Sequence, residues 1–289
     1  MKKILVLTDF SPNSVNTYGY AVKLACQLKA NILLLFSTNG APLSITNQLQ
    51  YSQQLYSFAK RYACDSRRHK EPHHTECLIS GDAWAGLIPS MVEVHRPDLI
   101  IAGCGLLEAI ERGVKELPVQ EFAACPILWV PEKATYQPWQ DLVFATDFTD
   151  QEPGVVQLVK SLAKDFNAKL HPIHFYPETE ASHFVEIKKL GAELNEAFNT
   201  AGSLHVIGEE DMMEGLQDFA EVNPADVFVI ATKDLHLTRH YLQDAYRKTG
   251  ACQTKIPLLS LFQNKKKPCT GSCTYCKEVE TVGAALVAE

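Results

Sequence analysis

At 289 residues, with 46% hydrophobic and 21% charged residues, the chain has a globular composition and enough length for two ordinary cores. A net charge of −7, with Lys265-Lys266-Lys267 as the one basic run worth naming, argues against a nucleic-acid-binding surface. No apolar run approaches the ~20 residues needed to cross a bilayer, and Thr8-Asp9 ends the apolar stretch after Met1-Lys2-Lys3, so we expect a cytoplasmic protein.

In chain order, Ile4–Leu7 is an apolar run bounded by turn residues, the pattern of a buried parallel strand. Ser11-Pro12 reads as a helix cap with proline at the first helical position, and Val15, Tyr18, Val22 and Ala25 give one helical face. Strands are predicted at Ile32–Phe36, Glu76–Ile79, Leu99–Ala102 and Ile127–Val130, with helices at Asn47–Cys64, Ala83–Val94 and Val114–Ala123. Between the second helix and the next strand, Arg67-Arg68-His69-Lys70-Glu71-Pro72-His73-His74 holds ligand-like histidines among cations that would repel a metal, and reads as a polar surface loop.

Pro131–Pro138 reads as an interdomain linker, and beyond it the order of elements repeats. Thr149-Asp150-Gln151-Glu152 has capping-box spacing, followed by the stripe Val155, Val159, Leu162 and Phe166. Further strands fall near Leu170–His174, Leu204–Ile207, Val227–Ala231 and Leu258–Phe262. Such strand–helix alternation implies a parallel sheet with helices on both faces.

The two halves also share local sequence. Ile4-Leu5-Val6-Leu7-Thr8-Asp9-Phe10-Ser11 returns as Leu142-Val143-Phe144-Ala145-Thr146-Asp147-Phe148-Thr149. Lys29-Ala30-Asn31 matches Asn167-Ala168-Lys169, and Pro97-Asp98-Leu99-Ile100-Ile101-Ala102 matches Ala225-Asp226-Val227-Phe228-Val229-Ile230. Cys125-Pro126-Ile127-Leu128 matches Ile256-Pro257-Leu258-Leu259. A period this long marks two copies of a domain rather than a solenoid. The expected division is a first domain at 1–131, a linker at 132–139, a second domain at 140–262 and a tail at 263–289.

These segments resemble the universal stress protein family: the start Lys3–Ser11, Ala21-Val22-Lys23-Leu24-Ala25, Ala30-Asn31, Pro97–Gly103 and Cys125–Leu128. The resemblance implies a tandem member with two Rossmann-like, adenine nucleotide alpha-hydrolase-like α/β domains, each a five-stranded parallel sheet with helices on both faces. It also implies that the last strands, Ile127–Val130 and Leu258–Phe262, pair with one another. A bare apolar edge would otherwise invite aggregation.

Many members of the family bind ATP through a Gly-x-x-Gly, nine-residue spacer, Gly-Ser/Thr pattern, whose glycines let backbone N–H groups approach phosphates. Here Gly103 stands in place, Gly105 falls one residue early, Leu106 takes the second glycine position, and Gly113 precedes Val114 rather than a hydroxyl residue. The second half has Ala231-Thr232-Lys233-Asp234 and no glycine until Gly250. Thr8 and Asp9 complete the candidate nucleotide set of domain 1, while Thr146, Asp147 and Lys233 form the corresponding set in domain 2. Each aspartate, at the tip of a first strand, either faces a ligand crevice or caps the next helix.

Nine cysteines are an odd count, and Cys26, Cys77, Cys104 and Cys125 read as core thiols of a reducing compartment. In the tail, Cys269, Cys273 and Cys276, with Gly271-Ser272 between, have spacing that suits zinc or thiol redox chemistry. No nucleophile elbow, paired carboxylates or Cys/His pair is evident. The resulting expectation is a non-catalytic stress-response or regulatory protein with degenerate nucleotide pockets. Its alternatives are an adenine-nucleotide (ATP or AMP) sensor through domain 1 and a zinc- or redox-responsive protein through the tail. Expected partners are the two halves of the chain themselves, a second copy in a homodimer, and other proteins, but neither nucleic acid nor membrane.

Overall fold

The computed structural model describes residues 3–61, 74–111, 125–146, 148, 152–177, 182–198, 202–232, 235–243 and 255–263. The chain divides into two compact units, Met1–Pro138 with Thr254–Phe262, and Trp139–Gln253 with Gln263–Glu289.

In the first unit, β1 (Lys3–Thr8), β2 (Asn31–Ser37), β3 (Thr75–Ser80), β4 (Leu99–Gly103) and β5 (Ile127–Val130) pair in parallel in the order β3-β2-β1-β4-β5. Ile4–Val6, Ile100–Ala102 and Leu128–Val130 are fully enclosed, as strands covered on both faces must be. The helices are α1 (Pro12–Leu28), α2 (Ile45–Arg61), α3 (Trp84–His95) and α4 (Leu107–Glu111). α1 begins as its sequence dictates: the Ser11 side chain accepts the Ser14 N–H, and Pro12 opens the first turn. Of the predicted face, Tyr18, Val22 and Ala25 are buried, while Val15 is only half-buried because Ser14 and Thr17 take the inward positions.

In the second unit, β6 (Asp141–Ala145), β7 (Lys169–Tyr176), β8 (His205–Gly208) and β9 (Val227–Thr232) pair in parallel in the order β9-β6-β7-β8. Its helices are α5 (Pro153–Phe166), α6 (Phe184–Phe198), α7 (Met212–Val222) and α8 (His236–Gln243). The stripe Val155, Val159, Leu162 and Phe166 is buried as expected. The capping box is not what starts α5. Its N-cap is Glu152, whose side chain makes no capping bond, and the proline at the first helical position supplies the helical φ instead. Thr149–Gln151 lie outside the described residues.

The strand β10 (Leu258–Phe262) joins the first unit and runs antiparallel to β5, with Leu258 opposite Trp129, Leu259 opposite Leu128 and Ser260 opposite Ile127. The two last strands therefore meet as expected, and each covers an apolar edge of the other. The described strands consequently number six in the first unit and four in the second, and the fold is α/β with a mixed sheet and flanking helices. The predicted helix at Val114–Ala123 lies outside the described residues, as do most of Arg67–His74.

The repeat is visible down to single hydrogen bonds. Asp98 accepts the backbone N–H of Lys3 (3.0 Å), and Asp226 accepts that of Asp141 (3.0 Å). In return the Asp98 and Asp226 N–H groups donate to the carbonyls of Lys3 and Asp141, both at 2.9 Å. Lys29 and Asn167 end α1 and α5 in the left-handed region, at φ 52° and 51°.

Candidate functional site

In the first unit β1 is followed by β2 on one side and flanked by β4 on the other, so the strand order reverses between β1 and β4. Open α/β sheets bind ligands in the crevice outside the strand C-termini at such a reversal. Thr8 to Ser11 and Gly103 to Leu106 sit there.

The β1 loop is held by its own side chains. Thr8 is fully buried and its hydroxyl accepts the Phe10 N–H (3.2 Å), which sets Phe10 at φ 64°. The same turn recurs at Thr146 and Phe148, with a bond of 3.0 Å and φ 67°. A left-handed phenylalanine is costly for its backbone. Packing holds it there: Phe10 lies against Phe36 (4.6 Å between ring centres), and Phe148 against His174 (5.3 Å). Asp9 Oδ1 accepts the Ser14 hydroxyl (2.5 Å) and the Ser11 N–H (2.9 Å). Partial burial pushes the Asp9 carboxyl upward, but the bonds from Ser11 and Ser14 outweigh it and hold the group below its ordinary value. Asp9 thus organises the start of α1 while remaining exposed at the crevice.

Facing it, Cys104–Leu106 form a tight helical turn leading into α4. Leu106 is buried core, so the residue at the second glycine position packs inward. The Gly105 N–H donates to Asn13 Oδ1 (3.2 Å), and the Asn13 amide makes a long contact to the Val130 carbonyl (3.5 Å). A Cβ added at Gly103 would lie 2.0 Å from Asn13 Oδ1 and 2.8 Å from Thr17 Oγ1. Gly103 is glycine because α1 side chains fill the space above it. Of the domain 1 set the structure brings together Thr8, Asp9, Gly103 and Gly105, while Gly113 lies outside the described residues.

The sequence reading missed Asn13. Its signal was its place in the first turn of the helix that follows β1, where a short polar side chain can reach the neighbouring strand tip.

In the second unit Thr146 and Thr232 are buried at the ends of β6 and β9, and the His174 Nδ1–H donates to the Thr146 carbonyl (3.1 Å). Asp147, Lys233 and the tail residues Cys269, Cys273 and Cys276 lie outside the described residues. Two His–carboxylate pairs went unread in the sequence. His171 Nε2 meets Asp141 Oδ1 at 2.9 Å, and His240 Nε2 meets Asp211 Oδ2 at 2.8 Å. Among the described residues no cluster of three or more His, Cys, Asp or Glu could hold a metal, and no helix is long and apolar enough to cross a membrane.

No protein-family model matches this sequence, nor does any curated protein. Solved structures do. A candidate universal stress protein from Pseudomonas aeruginosa UCBPP-PA14 matches over 98% of this chain and 98% of its own, with a TM-score of 0.53 and 14% identity. A universal stress protein from Archaeoglobus fulgidus DSM 4304 matches over 89% of this chain and 97% of its own, with a TM-score of 0.62 and 15% identity. A universal stress protein in complex with cAMP covers 44% of this chain at a TM-score of 0.30, too distant to speak for a ligand here. At these identities the likeness is one of fold. Over most of its length the chain has the universal stress protein fold.

Proposed function

We propose that this chain is a tandem universal stress protein, two domains patterned on five-stranded sheets, acting in the cytoplasm as a non-catalytic stress-response or regulatory module with degenerate nucleotide pockets. The observation that carries this reading is the Gly105–Asn13 bond. One backbone donor of the candidate phosphate loop already has an acceptor inside the protein, and Asn13 occupies the space over Gly103. Leu106 turned into the core adds support, since among the described residues the second glycine position offers no open backbone to a phosphate chain. The Asp9 oxygen that anchors α1 is likewise engaged. Titration calorimetry with ATP and AMP tests the reading, and no heat of binding at millimolar nucleotide is the expected result. Stoichiometric binding would overturn it.

That result would favour the second reading, an adenine-nucleotide sensor in domain 1, which draws support from the exposed, ionised Asp9 at the crevice mouth. A zinc or redox role for Cys269, Cys273 and Cys276 rests on their spacing. Metal analysis of the untagged protein with and without those cysteines tests it, and equal zinc in both would dismiss it.

A further inference from the structure

We infer that His171 is the catch of an acid-sensitive latch, which holds the edge strand β8 to the second unit when neutral and releases it when protonated. The argument begins with Gly202, just before β8. A Cβ there would stand 1.5 Å from the Leu170 carbonyl oxygen, so the segment entering β8 lies directly on the backbone of β7. The next residue, Ser203, points its N–H at His171 Nδ1 (3.1 Å). A backbone N–H only donates, so Nδ1 must offer its lone pair, and the ring proton must sit on Nε2, where it donates to Asp141 Oδ1 (2.9 Å). The folded geometry thereby selects one neutral tautomer of a buried ring. A second proton can enter only at Nδ1, where it would face the Ser203 N–H donor to donor. The segment must then move away from β7.

A second histidine sharpens the response. His205, the first residue of β8, lies with its ring centre 5.8 Å from that of His171 and edge-on to Phe219 of α7 (4.7 Å). Burial, and then the nearness of His171, hold His205 below its ordinary value. A depressed folded-state value makes this contribution to stability complete above the unfolded histidine range, and it is lost as pH falls through the folded value.

Other charged groups lie on the neighbouring elements. Asp141 accepts the Nε2–H of His171, and its neighbour Asp226 is occupied by the Gln140 and Asp141 N–H groups. Lys169 lies on β7 itself, and Glu214, Asp218 and Glu221 are carried by α7. None of these accepts the Ser203 N–H, so none replaces what protonation removes. Among the described strands β8 pairs only with β7, so no second strand holds it once its entry is lifted.

The test is hydrogen exchange, read by mass spectrometry on the full chain from about pH 7.5 to about pH 5 and corrected for intrinsic rates. Protection of the segment 203–208 is expected to fall by about tenfold or more relative to β6 and β9. In His171→Asn, whose side-chain oxygen can still accept the Ser203 N–H but cannot take a proton, that fall should largely vanish. An equal fall in the variant, or a fall spread evenly over β6, β7 and β9, would overturn the latch. Should the variant not fold, nitrogen NMR of the wild-type His171 ring decides independently: the Nε2–H tautomer at neutral pH supports the latch, and the Nδ1–H tautomer overturns it.

Discussion

By its sequence position Gly103 belongs to a phosphate loop, but the structure gives it another reason, and the two reasons separate in a double-mutant cycle. In Gly103→Ala the new Cβ would come within 2.0 Å of Asn13 Oδ1 and 2.8 Å of Thr17 Oγ1, so the Asn13 carboxamide must leave. Its bond to the Gly105 N–H is then lost, at about 1 kcal/mol, and overpacking adds about 1–3 kcal/mol. We expect a destabilisation of about 2–4 kcal/mol. Asn13→Ala alone should cost about 1 kcal/mol or less, because Gly105 is exposed and water takes over its N–H. In the double variant the Asn13 clash is gone and only Thr17 remains, which leaves a coupling of about 1–2 kcal/mol. Urea unfolding followed by tryptophan fluorescence measures the cycle, with the buried Trp84 and Trp129 reporting on the first unit. Losses that add to within about 0.5 kcal/mol would refute the reasoning, since the glycine would then make room for something other than Asn13.

Asp211→Ala removes an acceptor from the Met213 N–H (2.9 Å), the Glu214 N–H (3.3 Å) and His240, all at a buried helix start, and should cost about 3 kcal/mol in thermal denaturation. Gly202→Ala sets a Cβ against backbone that cannot swing aside and should cost about 3 kcal/mol or more, whereas Gly154→Ala, with nothing within 4 Å, should be neutral or mildly stabilising in the same assay. Burial, and then the charge of Asp98, push the Cys125 thiol up to about 12, and its Sγ–H donates to the Pro97 carbonyl (3.2 Å). Iodoacetamide at neutral pH should therefore leave Cys125 unmodified in the folded protein, as read by peptide mass mapping, and rapid native labelling would contradict that.

What the sequence disclosed and what it withheld follow from the range of the interactions. Strands such as Ile127–Val130 and Leu258–Phe262 were legible to the residue because an apolar run between polar turns is a local signal. Ser11-Pro12 was legible for the same reason. At the start of α5 two local signals compete, the capping-box spacing of Thr149–Glu152 and Pro153, and the helix begins at the proline. Asn13 over Gly103, and Ser203 on His171, join residues far apart in the chain, and no pattern in either neighbourhood announces the other. The candidate site was thus half legible. The positions Thr8, Asp9, Gly103 and Gly105 could be named, but the side chain that fills the space among them could not.

The assignment of β10 to the first unit has a consequence for synthesis. Ile127–Val130 are made early, yet the strand that covers their outer edge is Leu258–Phe262, more than a hundred residues later in the chain. At a few to tens of residues per second, the nascent first unit waits on the order of ten seconds with that apolar edge unpaired. Closing the pair is also the most non-local contact among the described strands, the kind that folds late. A ribosome that stalls anywhere in the second half leaves behind a nearly finished sheet that is adhesive at one edge. Closure of that edge therefore waits until Leu258–Phe262 have been made.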